Sequence, residues 1–229
     1  MRAGASGGLF CSGSGTLGVL VKFPDLDHDV YLLSCSHVIA KCGQFSVPFA
    51  DVQDFIKVVQ QPVATPCDAS VNRIGLLQDG FSKIVPASEG NTEADLALAK
   101  LDPEVAAETN NLQAATGNSI SDIATEDPAT WEYGMQTWLL GVANRNASGS
   151  VIKFNGDTAE MIDFPTVGTV SFTGLVRYST SCAEGDSGGA VVDSRNRLLG
   201  IHIAGDRSGS LGLFLPVGAF LAQKGMVLF

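Results

Sequence analysis

Apolar residues along this chain occur in short runs that are rich in β-branched residues and separated by Gly, Asp, Asn and Pro. This pattern is typical of many short strands rather than of helices. Segment 92–101 would also suit a helix, because Ala and Leu favour one, but its weak alternation favours a loop followed by a strand. Two short helices are predicted, at 36–41 and at 217–224, the second flanked by Pro216 and Gly225. The predicted strands are 17–23, 31–33, 55–59, 96–101, 136–142, 167–172 and 198–204.

Composition narrows the class of partner. The 229 residues suffice for one large domain or two small ones. No run of eighteen apolar residues occurs, so no membrane span is predicted. Fourteen basic against twenty-four acidic residues give a net charge of −10, which argues against nucleic acid. Gly13-Ser14-Gly15 lacks the following Gly-Lys that a phosphate loop requires.

A serine stands between glycines in the sequence Gly-Asp-Ser-Gly-Gly at 185–189, just before an apolar run. Glycines let the backbone adopt conformations closed to other residues, so such a turn can aim successive N–H groups at one point, where an oxyanion would form. Ser187 makes sense as a nucleophile only with a base and an orienting acid. His37, in Ser-Cys-Ser-His, and Asp95, in Ala-Asp-Leu-Ala-Leu, are the candidates.

The order His, Asp, Ser, each in its local context, resembles the chymotrypsin-like serine peptidases. The small-residue segment 13–18 resembles the first strand of that fold, and the resemblance extends from about 13 to 205. It implies an all-β protein of two six-stranded antiparallel β-barrels with a short C-terminal helix. Segment 102–127 has no clear period. We therefore predict barrels at 9–110 and 128–229, joined by a connection at 111–127.

The resemblance also implies roles. Ser187 would attack the scissile carbonyl, His37 would take its proton, and Asp95 would orient the imidazole. The backbone N–H groups of Gly185 and Ser187 would form the oxyanion hole, and no cofactor would be needed. Taken singly, each residue has a plainer interpretation as a loop, a turn residue or a satisfied polar group. All three in family order favour the triad, and none of its positions is substituted.

Asp186 has a further implication. In secreted members of the family, the aspartate at this position pairs with a new N-terminal amine made by proteolytic activation. No Ile-Val-Gly-Gly-like sequence occurs near residue 10. We therefore expect an oxyanion hole that forms without such a cleavage.

His202 lies on the predicted strand 198–204, fifteen positions after the serine. This placement resembles the glutamyl endopeptidases and the main proteases of picornaviruses and caliciviruses, and it implies cleavage after Glu or Gln. Cleavage after a small apolar residue is the third alternative. An imidazole N–H can donate to either side chain, whereas the alternative for His202 is a core histidine bonded to backbone. Ser181 stands where a trypsin-like pocket would have aspartate, so Arg or Lys preference is not expected. The predicted substrate-binding residues are His202, Ser181, Thr180, Ala204 and Gly205.

Five cysteines, at 11, 35, 42, 67 and 182, do not follow the disulfide framework of the secreted members. We predict reduced thiols and favour an intracellular or viral compartment over a secreted one. The histidines and cysteines show no spacing typical of a metal site, so no metal is predicted.

These observations predict a serine endopeptidase that acts on a protein or peptide through an acyl-enzyme. They are also compatible with a place within a larger polyprotein. Three alternatives remain open. One is a serine esterase with the same triad. Another is a non-catalytic domain that holds an extended peptide in the cleft. The third is a protease that processes only its own polyprotein.

Overall fold

The structure is a computed structural model, and it describes most of the chain. In three short strands near the N-terminal half only the backbone course is described, and these are 6–9, 57–60 and 73–80. The described residues are 6–9, 15–25, 29–39, 57–60, 73–80, 84, 86–92, 94–107, 120–164 and 168–229.

The first half of the chain forms a sheet whose strands are antiparallel neighbours. Its order is β18-β3-β4-β8-β6-β5-β1-β2. Because β2 and β3 are successive parts of one segment, the strand that begins beside β1 ends beside β4, and six strands thereby close into a barrel. The bounds are β1 Ser6–Leu9, β2 Gly15–Thr16, β3 Val19–Lys22, β4 Tyr31–Ser34, β5 Lys57–Gln60, β6 Arg73–Gly80, β8 Ala97–Leu101 and β18 Val227–Leu228.

The second half forms a second closed barrel. Its sheet has the order β15-β10-β11-β14-β17-β16, and a further pairing of β15 with β16 closes the circle. A short strand from the connecting region, β9, adds to β16 in parallel. The bounds are β9 Asp122–Ile123, β10 Gln136–Leu140, β11 Arg145–Phe154, β14 Val176–Thr180, β15 Ala190–Asp193, β16 Arg197–Gly205 and β17 Leu211–Pro216.

A small third sheet and four short helical segments complete the described elements. In the third sheet, a strand from each half pairs in parallel, β7 with β13. The strands are β7 Asn91–Thr92, β12 Glu160–Phe164 and β13 Gly168–Phe172. The helices are α1 Ser36–Ile39, α2 Pro103–Ala107, a 3₁₀ turn at Pro128–Thr130 and α3 Gly218–Gln223.

The predicted fold class is confirmed: the protein is an all-β double barrel with a short helix near its C-terminal end. The loop-then-strand prediction for 92–101 is also confirmed, since β8 begins at Ala97. Segment 102–127 is less irregular than expected, because it contains α2 and β9. Parts of the predicted strands at 55–59 and 167–172, and the end of the helix at 36–41, lie outside the described residues. The domain bounds stay a prediction.

The two halves share buried apolar contacts. One continuous core cluster includes Leu20 and Leu33 from the first barrel and Val192 and Ile201 from the second, all of them essentially inaccessible to solvent. Burial of such side chains is the main driving force for association of the barrels. No described helix has the length and apolar character needed to cross a membrane.

Candidate active site

His37 and Asp95 meet at the edge of the first barrel. His37 lies on α1, directly after β4, and Asp95 lies just before β8, which pairs with β4. The His37 backbone N–H donates to Asp95 Oδ1 at 3.0 Å, and His37 Nδ1 is hydrogen-bonded to Asp95 Oδ2. Asp95 is wholly buried, whereas the His37 side chain keeps 17% of its surface exposed. The carboxylate thus fixes the imidazole through Nδ1 and leaves Nε2 for proton transfer.

Ser187 stands on a turn whose shape depends on glycine. Gly185 and Gly188 have φ angles of +101° and +89°, a region that side chains with a Cβ rarely adopt. The Gly188 N–H donates to the carbonyl of His202 at 2.8 Å, and the Gly189 N–H donates to Asp186 O at 2.9 Å. In the described part of the chain, the N–H groups of Gly185 and Ser187 donate to no acceptor. Two N–H donors on one rigid turn are the arrangement that an oxyanion hole requires.

The serine hydroxyl faces β16 in this structure. Ser187 Oγ donates to the Ile203 carbonyl at 2.9 Å. The histidine segment lies close by, because the position of a Cβ on Gly15 is 2.6 Å from the Val38 side chain and 2.8 Å from Ser187 O. The histidine segment and the serine turn therefore both pack against Gly15.

Asp186 is held by uncharged donors. Its wholly buried carboxylate accepts four hydrogen bonds of 2.9 Å, from the N–H groups of Ala183 and Ala143 and from both the backbone N–H and the side-chain amide of Asn144. Hydrogen bonds of this number can satisfy a buried carboxylate without a cation. A Cβ on Gly141 would lie 2.1 Å from Asp186 Oδ1, so the 141–144 loop closes tightly over the carboxylate.

His202 lies in the interior of the second barrel, on β16. The residue is buried, with 2% of its surface exposed, and Nδ1 is 2.9 Å from the hydroxyl of Tyr178 on β14, from which β16 is separated by β17. Burial lowers the pKa of His202 to about 4, while the nearby charge of Asp186 acts in the opposite direction and that of His37 lowers the pKa further. Burial likewise raises the pKa of Tyr178 well above its usual value. Both groups are therefore neutral at pH 7.

Of the other predicted substrate-binding residues, Thr180 and Ser181 lie at and just after the end of β14, and Ala204 and Gly205 lie on β16 with His202. Thr180 ends β14 and is buried, whereas Ser181 is exposed. Ala204 and Gly205 line a groove of about 600 Å³. The remaining walls of the groove come from Glu160, Met161, Ile162, Asp163, Arg177, Asp206, Arg207, Leu211, Gly212 and Leu213.

Cys182 narrows the space between Thr180 and Gly205. A Cβ on Gly205 would lie 2.3 Å from Cys182 Sγ, so only glycine fits opposite the thiol. Burial raises the pKa of this thiol to about 11, with contributions from the charges of Asp186 and Asp206. Cys182 is therefore protonated at neutral pH and acts as a small apolar wall.

Several residues of the site were not predicted from the sequence. Tyr178 is one; its only signal is its place two residues before Thr180, which in a strand puts both on one face. Cys35 is another: its thiol donates to the His202 carbonyl at 3.2 Å. The ligand atoms of Cys35, His37 and Asp95 lie within 4.8 Å of one another, although the histidine and aspartate are bonded to each other. Asn144 and Thr16 also carry no motif-level signal for their contacts.

A double β-barrel with a His–Asp pair beside a glycine-bounded serine turn defines the class of trypsin-like serine peptidases. A sequence model of the trypsin-like peptidase domain matches residues 13–201, and the chain belongs to this family. No curated protein matches the sequence.

Solved structures show the same fold at low sequence identity. Cellulomonas bogoriensis chymotrypsin is 17% identical with a TM-score of 0.61, and the match covers 100% of this chain and 99% of that one. The Nocardiopsis protease NAPase is 17% identical with a TM-score of 0.64, over 100% and 99%. A glutamic-acid-specific serine protease that uses a histidine triad in substrate binding is 15% identical with a TM-score of 0.65, over 100% of both chains.

Proposed function

We propose that this protein is a serine endopeptidase with His37, Asp95 and Ser187 as its catalytic triad. The observation that carries the proposal is the pairing of a buried Asp95 with His37 beside a serine turn that offers two N–H donors. Asp95 holds one tautomer of the imidazole, so that Nε2 can accept a proton. The family and the fold are those of peptidases, and no step of this chemistry requires a cofactor.

The reaction proceeds in two halves. Ser187 Oγ bonds to the scissile carbonyl carbon while its proton passes to His37, and the N–H groups of Gly185 and Ser187 bind the resulting oxyanion. His37 then donates that proton to the leaving amine, which departs and leaves an acyl-enzyme. A water molecule attacks the ester, its proton passes to His37 and then to Ser187, and the acid product is released.

The substrate would bind as an added strand. Among the described strands, β15 pairs with β16 only as far as Ile201, so the segment 203–205 has one unpaired edge next to the serine. An extended peptide can use such an edge for main-chain hydrogen bonds. A substrate N–H that binds the Ile203 carbonyl would replace the Ser187 hydroxyl there and release the hydroxyl toward His37.

His202 would read the side chain before the scissile bond, and its neutral state favours Gln over Glu. With Nδ1 bonded to Tyr178, the remaining nitrogen Nε2 is the atom that would face the substrate. If the Tyr178 hydroxyl donates to Nδ1, then Nε2 carries a proton and can donate to a carboxamide oxygen. A Glu carboxylate would enter the same place without a positive partner. The net charge of −10 also disfavours acidic substrates.

The decisive experiment uses a fluorophosphonate probe and peptide substrates on the wild type and on Ser187→Ala. The wild type should be labelled and should cleave peptides, and the variant should do neither while keeping the wild-type melting temperature. Thr137→Val is a matched control, because its buried hydroxyl has no hydrogen-bond partner among the residues that the structure describes. A wild type that binds peptides but reacts with neither reagent would instead support the non-catalytic peptide-binding alternative. Activity on esters alone would support the esterase, and a single self-cleavage would support the polyprotein protease.

A further inference from the structure

Thr16 connects the first barrel to the serine turn of the second. This residue ends β2 and is wholly buried. Its N–H donates to the Ser187 carbonyl at 2.8 Å, and its hydroxyl donates to the Gly185 carbonyl at 2.8 Å. The same hydroxyl accepts a hydrogen bond of 2.9 Å from the N–H of Val142, in the loop that covers Asp186. One side chain of the first barrel therefore holds both the turn and the loop.

The backbones at this contact approach so closely that only glycine fits. A Cβ on Gly15 would lie 2.8 Å from Ser187 O, and a Cβ on Gly18 would lie 2.6 Å from Gly188 O. On the opposite side, a Cβ on Gly188 would lie 2.3 Å from Thr16 O. Real Cβ atoms do not come this near to backbone oxygens. The small residues that the sequence places around Thr16 thus allow it to reach the turn.

The two carbonyls that Thr16 holds belong to the same two residues whose N–H groups face the oxyanion position. Gly185 has a φ of +101° and, lacking a side chain, can change its backbone angles easily. A rotation there would turn its N–H away from the substrate. The hydrogen bond from Thr16 to the Gly185 carbonyl fixes the peptide plane that follows Gly185 and thereby holds the Cα to which the preceding plane is joined. The Gly185 N–H can then turn only through opposed changes in ψ of Glu184 and φ of Gly185.

We propose that Thr16 is a positioning residue for the oxyanion hole and that its hydroxyl keeps the Gly185 N–H directed at the reacting carbonyl. This inference rests on the proposed function, since it assigns to Thr16 an effect on that reaction. It gives the first barrel a second contribution to catalysis besides the His–Asp pair. The oxyanion hole, formed in the second barrel, would thus be positioned by a residue of the first barrel.

The test compares Thr16→Val, which removes the hydroxyl and nearly preserves the shape, with Thr16→Ser, which keeps the hydroxyl. Thr16→Val should lower kcat about 10- to 100-fold with KM changed by less than about threefold, because the lost interaction acts on the oxyanion rather than on the bound substrate. Thr16→Ser should stay within about threefold of the wild type. Thr137→Val controls for the loss of a buried threonine hydroxyl elsewhere and should leave activity unchanged.

A second measurement reports on the oxyanion hole itself. A peptidyl chloromethyl ketone labelled with ¹³C at its carbonyl alkylates His37 and adds to Ser187, and NMR then follows the ionisation of the hemiketal. The pKa of that hemiketal should rise by about 1–2 units in Thr16→Val, matching the fall in kcat. If Thr16→Val does not fold, Thr16→Cys replaces it, because a thiol is a weaker hydrogen-bond partner than a hydroxyl.

The possible outcomes separate this inference from the proposed function. A wild type without hydrolytic activity contradicts the proposed function. An active wild type with an equally active, folded Thr16→Val contradicts the role of Thr16. The role is likewise contradicted if Thr16→Ser loses as much activity as Thr16→Val, or if kcat falls while the hemiketal pKa stays at the wild-type value.

Discussion

The neutral state of His202 leads to a quantitative prediction for substrate choice. Its pKa of about 4, against the usual 6.5, means that protonating the ring in the folded protein costs about 3 kcal/mol more than in water, at about 1.4 kcal/mol per pKa unit. A Glu side chain in the pocket must either remain an unpaired buried carboxylate or take up a proton together with the site. A Gln side chain requires neither, because a neutral imidazole N–H can donate to its oxygen.

We therefore expect Gln to exceed Glu by about 10- to 100-fold in kcat/KM at pH 7.5, since an unsatisfied buried group costs about 1–3 kcal/mol. If the Glu substrate reacts with one additional proton bound, its relative kcat/KM should rise by up to about tenfold for each pH unit of acidification. The Glu/Gln ratio should thus increase as the pH falls from 8 to 5.5. The sign of this change is the same whether the proton resides on His202 or on the substrate.

The assay is a competition between two peptides that differ only in Gln or Glu before the scissile bond. With both peptides in one reaction, the pH dependence of the shared catalytic step is common to both rates and cancels from the ratio. Tyr178→Phe is the matched variant, because it keeps the ring but removes the hydroxyl that holds Nδ1. It should reduce the preference for Gln, since the imidazole is then free to present either tautomer.

A ratio near one at pH 7.5, or a Glu preference that does not change with pH, would refute this account of His202. A structure with bound peptide in which the imidazole contacts no substrate atom would show that His202 is a core residue without a role in substrate binding. Cleavage after small apolar residues would still be compatible with the proposed triad, because none of its three residues lies on β16.

Three further predictions follow from the buried groups. Asn144→Ala should lower kcat several-fold in steady-state assays, because it removes one hydrogen-bond donor to Asp186. Acetylation of the N-terminal amine should leave kcat unchanged. A loss of activity on acetylation would contradict the conclusion that uncharged donors hold Asp186. Urea titrations should show wild-type stability falling between pH 6.5 and 4, by at most about 3 kcal/mol, because His202 binds its proton more readily when unfolded, and an equal fall in His202→Gln would contradict the assignment. Native protein should react slowly with thiol reagents at Cys35 and Cys182, both buried thiols, and mass mapping that finds either in a disulfide would contradict the prediction of reduced cysteines.

The fold was predictable because its strongest signals are local or belong to a motif. Alternating and β-branched runs predict strands wherever one face is buried, and the serine turn identifies the family in which those strands close into barrels. The helix at Pro103–Ala107 was not predicted, because its five residues are too few to show a helical period and they lie within a polar segment. The parallel pairing of Asn91–Thr92 with β13 was also beyond prediction, since it depends on contacts between segments about eighty residues apart.

The candidate site divides in the same way. His37, Asp95 and Ser187 could be proposed from the sequence, because each stands in a recognisable context. Tyr178 could not, because a tyrosine on a buried strand is ordinarily a core residue, and its bond to His202 depends on the register of β14, β17 and β16. A sequence pattern records which face of a strand is buried but not which polar atoms meet inside.

The anchoring of Asp186 shows why two peptidases of one fold can differ in how they become active. Where a charged amine satisfies the aspartate, the turn is stable only after the amine has been created and has entered the interior. Here the donors are three backbone N–H groups and one amide, all supplied by chain segments at 183 and 143–144 that are present from synthesis onward. The buried charge is thereby stabilised as soon as β10 and β15 pair, because that pairing brings the covering loop and the serine turn together. We therefore expect the serine turn to reach its final shape during folding itself. If Ser187 is the nucleophile, as proposed, a protein refolded from denaturant should regain fluorophosphonate reactivity together with its tertiary structure rather than after a later processing step.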